Sequence, residues 1–350
     1  MLRRLSVGLL ASALVLAPLP TKAQEGTAED LGDVMGISLK DVVKPTIEFQ
    51  GALQGAGTPN QAGIGGFLPL SVNENSVRFV AALANANFGA RSSFSSIGDT
   101  LVSGTTLSTS TRLGYRWLNG DRSWMYGING GYDSRQMATG DTTNGLPIID
   151  PQTVLFQQVE INAEAKSNRW GVSSYGLIPI GEYGYGSDNV ATINSFYGAS
   201  PLTTVGADID YNILPGLSMS GGYYYQYSEK ELDEFKSYPD GSGFKARLTY
   251  DLNDQLQAGV VYTYDENFES RVSADFKVRF GSDTKSLSKT IGFPVLQGLS
   301  DNPRNRNIRV GNSCGSIFPE GCSGDLIGGF DQQRGQGTPG QGEGTGGDAA

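Results

Sequence analysis

From Arg271 to Phe280 the chain alternates without a break. Val272, Ala274, Phe276, Val278 and Phe280 are apolar, while Arg271, Ser273, Asp275, Lys277 and Arg279 between them are polar or charged. A period of two sets these groups on opposite faces of a strand, and a slip of one residue would carry every charge to the apolar side. The same pattern places Val205, Ala207, Ile209, Tyr211 and Ile213 against Asp208, Asp210 and Asn212. It also places Phe244, Ala246, Leu248, Tyr250 and Leu252 against Lys245, Arg247, Thr249 and Asp251. About twelve such segments are predicted, each around ten residues long, the length a tilted strand needs to cross a bilayer. They are Pro45–Gln54, Gln61–Leu70, Ser76–Phe88, Leu107–Trp117, Ser123–Asp133, Val154–Lys166, Asn168–Ile178, Thr203–Ile213, Leu217–Tyr227, Gly243–Leu252, Leu256–Asp265 and Ser270–Phe280.

Which face meets which solvent follows from STRLGYRWLNGDRSWMYGINGGYDSR, residues 110–135. A soluble sheet fills its core with Leu, Ile and Val. Here Leu113, Tyr115, Trp117, Trp124, Tyr126, Ile128 and Tyr132 share one face, and Arg112, Arg116, Asn129 and Asp133 share the other. In a closed barrel the aromatic face meets lipid and the charged face lines a wet lumen; closure is required because an open strand edge in hydrocarbon costs several kcal/mol per backbone group. The connections agree. Reversals such as NGDRS, KSN, LPG and ND alternate with longer loops, although the first and last loops of the longer set are short. Short turns at one rim and longer loops at the other define an up-and-down transmembrane barrel. The predicted fold is therefore all-β: a closed antiparallel barrel of about twelve strands spanning 45–280. The residues expected to face its lumen are Arg78, Arg112, Arg116, Glu160, Glu164, Asp208, Asp210, Lys245, Arg247, Asp251, Arg271, Asp275, Lys277 and Arg279. In the run Tyr223–Tyr225, two rings are assigned to the interfacial belt and one to the lumen.

At the N-terminus, Arg3 and Arg4 precede an apolar run from Leu5 to Leu19, and Thr21-Lys22-Ala23 supplies small residues for cleavage. Residues 1–23 read as a secretory signal, and 24–44 as a polar segment before the barrel. Cys314 and Cys322 in an exported chain point to one disulfide, with a free thiol pair as the alternative. Closing so short a loop would contribute roughly 2–3 kcal/mol. Residues 313–350 form a Cys loop and a Gly/Gln-rich tail too poor in apolar residues to fold alone.

Composition narrows the function. A net charge of −10 and 18% charged residues give no basic footprint for nucleic acid. With no histidine in the chain, Ser-His-Asp and Cys-His catalysis and most catalytic zinc sites are excluded. Glu160/Glu164 and Asp208/Asp210 are carboxylate pairs of the kind glycosidases use, but two or four positions apart on a polar strand face they read as lumen wall. We expect no enzyme, no cofactor and no metal. The expected partners are outer-membrane lipid, the barrel-assembly machinery and periplasmic chaperones; the residues do not identify a surface partner.

IEFQGALQ…GIGGFLPL, TRLGYRWL, SWMYGINGGYDSR, WGVSSYGLIPIGE and NPRNRNIRV together make the chain, from about Pro45 to Val310, resemble the inverse autotransporter β-barrel domain of intimin and invasin. The resemblance implies a twelve-stranded outer-membrane barrel whose following segment, 281–312, returns through the lumen and displays what comes after it outside the cell. The element Asn305, Arg306, Asn307, Ile308 is similar to the family's returning linker. On that reading Asn305, Arg306, Asn307 and Arg309 would bond lumen carboxylates such as Asp208, Asp210 and Glu160. With an even strand number Phe280 ends at the periplasmic rim, and at about 3.3 Å per residue eight to ten extended residues recross the roughly 25–30 Å barrel. The chain departs from the family in having only 24–44 before the barrel, where relatives carry a peptidoglycan-binding module, and no Ig-like repeats after it. The implied function is to anchor and translocate the chain's own C-terminal segment. The alternatives are a porin-like channel for small polar solutes and an adhesion-related surface protein.

Overall fold

A computed structural model describes residues 37–52, 60–88, 105–138, 142–143, 146–147, 153–181, 191–194, 197–214, 216–227, 241–253, 255–265, 269–281, 293–304 and 308–314. Its strands are β1 (Thr46–Ala52), β2 (Asn60–Val72), β3 (Ser76–Phe88), β4 (Thr105–Leu118), β5 (Trp124–Ala138), β6 (Thr142–Thr143), β7 (Leu146–Pro147), β8 (Thr153–Ser167) and β9 (Trp170–Ile180). They continue with β10 (Ala191–Asn194), β11 (Tyr197–Pro201), β12 (Thr203–Leu214), β13 (Leu217–Tyr227), β14 (Gly241–Asp251), β15 (Leu256–Asp265), β16 (Glu269–Phe280) and β17 (Val310–Cys314). Among the described residues two short helices, α1 (Leu39–Val42) and α2 (Phe293–Gly298), lie before and after the barrel strands.

Twelve strands close a barrel in which every neighbour is antiparallel, in the order β1-β2-β3-β4-β5-β8-β9-β12-β13-β14-β15-β16. The seam is β1 on β16, with Ile47 opposite Phe280 and Glu48 opposite Arg279. Each of the twelve predicted segments is one of these strands. β5 runs on to Ala138, beyond the expected end at Asp133. Two smaller sheets, β6-β7 and β10-β11-β17, are additions that the alternation pattern did not announce. Their strands are two to five residues long, too short for a period of two to register.

Burial in this barrel is inverted relative to a soluble domain. The outward Leu113, Ile161 and Val272 are 61%, 61% and 67% exposed, whereas the inward Arg112 and Arg116 are 4% and 1% exposed. Such a surface is stable only where the outer solvent is itself apolar. Ile161 sits halfway along β8, opposite Gly130 and Gly176. Ile161→Arg is expected to lose about 2–4 kcal/mol, the penalty for a cation on the lipid face near the bilayer midplane. Urea titration of the protein folded in lipid vesicles measures it; an unchanged midpoint would mean that this face is not in hydrocarbon.

Rims and glycines explain how the strands come together. At the short-turn end, Asn73–Asn75, Asn119–Ser123 and Asn168–Arg169 reverse the chain. In the second of these, hydrogen bonds from the Ser123 hydroxyl and backbone N–H hold the Asp121 carboxyl below its usual range. Arg122, at φ 55, ties the rim together by donating to the carbonyls of Ile37 and Glu74 and to Asn75 Oδ1. Inside the wall, β4 and β5 are in register so that Arg112 faces Gly131 and Arg116 faces Gly127. A Cβ on Gly127 would stand 2.7 Å from Glu164 Oε1 and 3.0 Å from Arg116 Cγ, and one on Gly131 would collide with the Thr111 carbonyl. The glycines of GINGG therefore make room for the two arginines.

Candidate functional site in the barrel lumen

The lumen is occupied by the chain itself. At the short-turn end, α2 and the turn after it press Val295, Leu296 and Leu299 against Phe67, Val77, Phe79, Ala81, Leu118 and Met125 of the wall and Leu39 and Val43 of the α1 segment. All three of the first group are fully buried. This apolar seat explains the one inward assignment that the structure reverses. Arg78 lies outside the barrel, because Val77 and Phe79 take the inward positions on β3 and bury against α2. From Val77 to Ala84 every position of β3 except Arg78 is apolar, so alternation alone does not orient that stretch.

Beyond α2 the charged wall takes over. The backbone carbonyls of Leu299 and Asp301 accept from Arg116 Nη1 at 3.2 and 2.5 Å. The Asp301 carboxylate bridges Lys166 on β8, at 2.8 Å, and Arg279 on β16, at 3.0 Å. Residue 301 is thus gripped from three strands at once. Arg116 also donates through Nε to Glu164 at 2.7 Å and lies 4.6 Å from the centre of the Phe79 ring. Further along, Arg304 pairs with both Asp208, at 3.2 Å, and Asp210 on β12. Asp208, fully buried, takes Lys245 Nζ on its other oxygen at 2.9 Å.

Nearer the long-loop end, Arg135 Nη1 donates to the Ile308 carbonyl at 2.8 Å. Arg309 lies 4.1 Å from the Tyr224 ring centre and 3.4 Å from Asp265, which also accepts from the Tyr224 hydroxyl at 2.5 Å. Tyr224 is the lumen ring of its run, with Tyr223 and Tyr225 turned outward in the same strand. The Leu202 N–H then bonds to the Arg309 carbonyl, and β17 adds to β11, with Val310 opposite Pro201 and Cys314 opposite Tyr197.

The remaining lumen residues partner one another across strands. Arg112 donates to both oxygens of Asp133, at 2.7 and 3.0 Å, and also pairs with Glu160. Arg247 and Asp275 form a two-point pair at 2.7 and 2.6 Å. Lys277 meets Glu48 at 3.4 Å. Asp251 accepts from Gln257 at 2.7 Å at the short-turn mouth, where it is exposed. The side chain of Arg271 lies outside the described residues, as do Asn305, Arg306, Asn307, Cys322, the signal region 1–23 and the tail beyond 314; Cys314 is described in its backbone alone.

Of the expected linker contacts, those of Asn305, Arg306 and Asn307 lie outside the described residues. Arg309 meets Asp265 and the Tyr224 ring, and Glu160 pairs with Arg112 of the wall. Arg304, which was not singled out, meets Asp208 and Asp210. Asp301 and α2 were also missed. Their signal is a short apolar cluster, FPVLQGL, followed at once by isolated charges, but with nothing periodic in it. Among the described residues no group of three or more His, Cys, Asp or Glu is placed to hold a metal.

No protein-family model matches the chain, and no curated protein does either. Solved structures match it in fold. A membrane protein from work on in-meso crystallization superposes with a TM-score of 0.53 at 15% identity, over 77% of this chain and 99% of that one. A KdgM porin aligns at 0.36 and 8% identity, over 67% and 99% of the two chains. The toluene transporter TodX of Pseudomonas putida aligns at 0.39 and 7%, over 68% and 88%. The protein is a closed twelve-stranded membrane-type β-barrel with residues 295–304 and 308–309 of its own downstream segment inside the lumen.

Proposed function

We propose that this barrel is an outer-membrane anchor that carries its own C-terminal segment through its lumen and presents it on the cell surface. The observation behind this reading is the order of contacts. Asp301 meets the wall at the short-turn end, Arg304 at mid-height, and Ile308 and Arg309 toward the long loops. Seven steps separate 301 from 308, and at about 3.3 Å each an extended chain covers most of a bilayer core. In this orientation the short turns are periplasmic and β17 is outside, beside β11. The same order of contacts accords with the resemblance to inverse autotransporters. An epitope tag placed after Gly329 is expected to stain on intact cells. Staining only after the outer membrane is opened would overturn both the orientation and the display.

One observation favours a channel as the second reading. The wall from β14 to β16 is partly wet: the side chains of Arg247, Asp275 and Lys277 retain 29%, 23% and 26% of their exposure. A narrow polar path between that wall and the linker would conduct small ions. Lys277→Glu should then shift the cation-to-anion preference of the intact protein in planar bilayers, whereas a sealed lumen gives no current to shift.

A further inference from the structure

We propose that Arg78 forms a binding site for the headgroup phosphate of an anionic phospholipid on the outer wall at the short-turn rim, a reading that rests on the membrane barrel proposed above. Among the described strands Arg78 is the only charged residue on an outward-facing position. Among the described residues it makes no ion pair, Glu74 in the neighbouring rim turn included. Arg78 lies two residues into β3, about 7 Å along the strand from the rim. At that depth a cation costs about 0–1 kcal/mol and can extend to the headgroup level.

Its surroundings suit a lipid headgroup. Across the ladder Arg78 faces Tyr115 on β4 and, at the irregularity between Pro69 and Ser71, Ser71 on β2. Tyr115 stacks on Trp117 at 5.4 Å, Trp117 meets Tyr126 at 5.9 Å, and Tyr126 stacks on Trp124 at 6.4 Å. These rings form an amphipathic platform of the type that sits at the membrane–water boundary. Farther into the wall the outward residues of β3 are Val80, Ala82, Ala84 and Ala86, so an acyl chain below the headgroup meets little relief. A second copy of the chain is a poor alternative partner. The described outward wall carries no carboxylate, so a barrel-to-barrel contact through it would bury Arg78 without a counter-ion.

The test uses the full-length protein in nanodiscs of equal phosphatidylglycerol and phosphatidylcholine, with retained lipid counted by native mass spectrometry. Retained lipid should be enriched about fivefold in phosphatidylglycerol, the gain one cation near a charged membrane surface provides. Arg78→Gln should bring the ratio to parity, and Arg78→Lys should preserve the preference. Equal enrichment in the wild type and Arg78→Gln, with both inserted, would overturn the site and leave the barrel reading standing. Failure of the wild type to enter nanodiscs would overturn the barrel reading, and the site with it.

Discussion

Removing everything after Gly281 is expected to raise single-channel conductance several-fold over the intact protein, which should be nearly closed. The reason is geometric. α2 and the turn after it plug the short-turn mouth through Val295, Leu296 and Leu299, and Asp301, Arg304 and Arg309 continue toward the long loops. A barrel wider than eight strands has more interior than its own side chains fill, so the downstream segment is what closes this one. The deletion also bares Phe67, Val77, Phe79 and Met125 to water, which could unfold the barrel before any current is read. Asp301→Lys in the full chain avoids that difficulty. It replaces the shared anion between Lys166 and Arg279 with a third cation, and like charges held this close repel. Brief openings, absent from the wild type and more frequent at low salt, are expected as the linker is pushed from its seat. Wild-type conductance equal to that of the truncated barrel would sink the plugged-lumen reading.

The strands were legible in the sequence because membrane solvation imposes a rule on every residue. Each outward residue must be compatible with lipid, so Val272–Phe280 and Val205–Ile213 announce their faces without reference to any partner. Where the inner side is also dry, the rule loses its contrast. β3 is the case in point: Val77, Phe79 and Ala81 look inward to α2, Val80 and Ala82 look outward to lipid, and the charge at 78 pointed to the wrong face. The wall's own ion pairs join residues far apart in the chain, such as Arg247 and Asp275, and only register brings them together. The plug was the least legible part. α2 has six residues and no repeat, and its placement depends on an apolar seat assembled from β2, β3, β4 and β5. Nothing in the local sequence around Arg304 announces it as a partner of Asp208. The level at which the linker passes β12 decides that, and this level is fixed by the grip on Asp301 several residues earlier.

Arg112→Ala is expected to cost about 3–5 kcal/mol, because it removes one partner from a buried charge network. Arg112, Asp133 and Glu160 are 4%, 3% and 1% exposed. The guanidinium spans β5 and β8 from its place on β4, and Gln158 adds a further bond to Asp133 at 2.8 Å. With the cation gone, two carboxylates would lie side by side in a nearly dry lumen, at a cost in desolvation and mutual repulsion. The loss should therefore come from stranded anions more than from the attraction removed. Two variants separate these causes. Arg112→Leu combined with Asp133→Leu and Glu160→Leu removes the network as a whole, and its loss should be smaller than that of Arg112→Ala alone, since replacing a buried charge cluster by apolar groups is often close to neutral. Asp133→Asn alone leaves Arg112 paired with Glu160 and should fall between them. Urea midpoints of the three proteins in lipid vesicles measure the ranking, with unfolding slopes checked for agreement so that the midpoints are comparable. If the triple variant proves the least stable, the network contributes net stability through its own pairing. The charged face of TRLGYRWL would then be a strut that holds β4, β5 and β8 together, rather than a lining tolerated because its charges cancel.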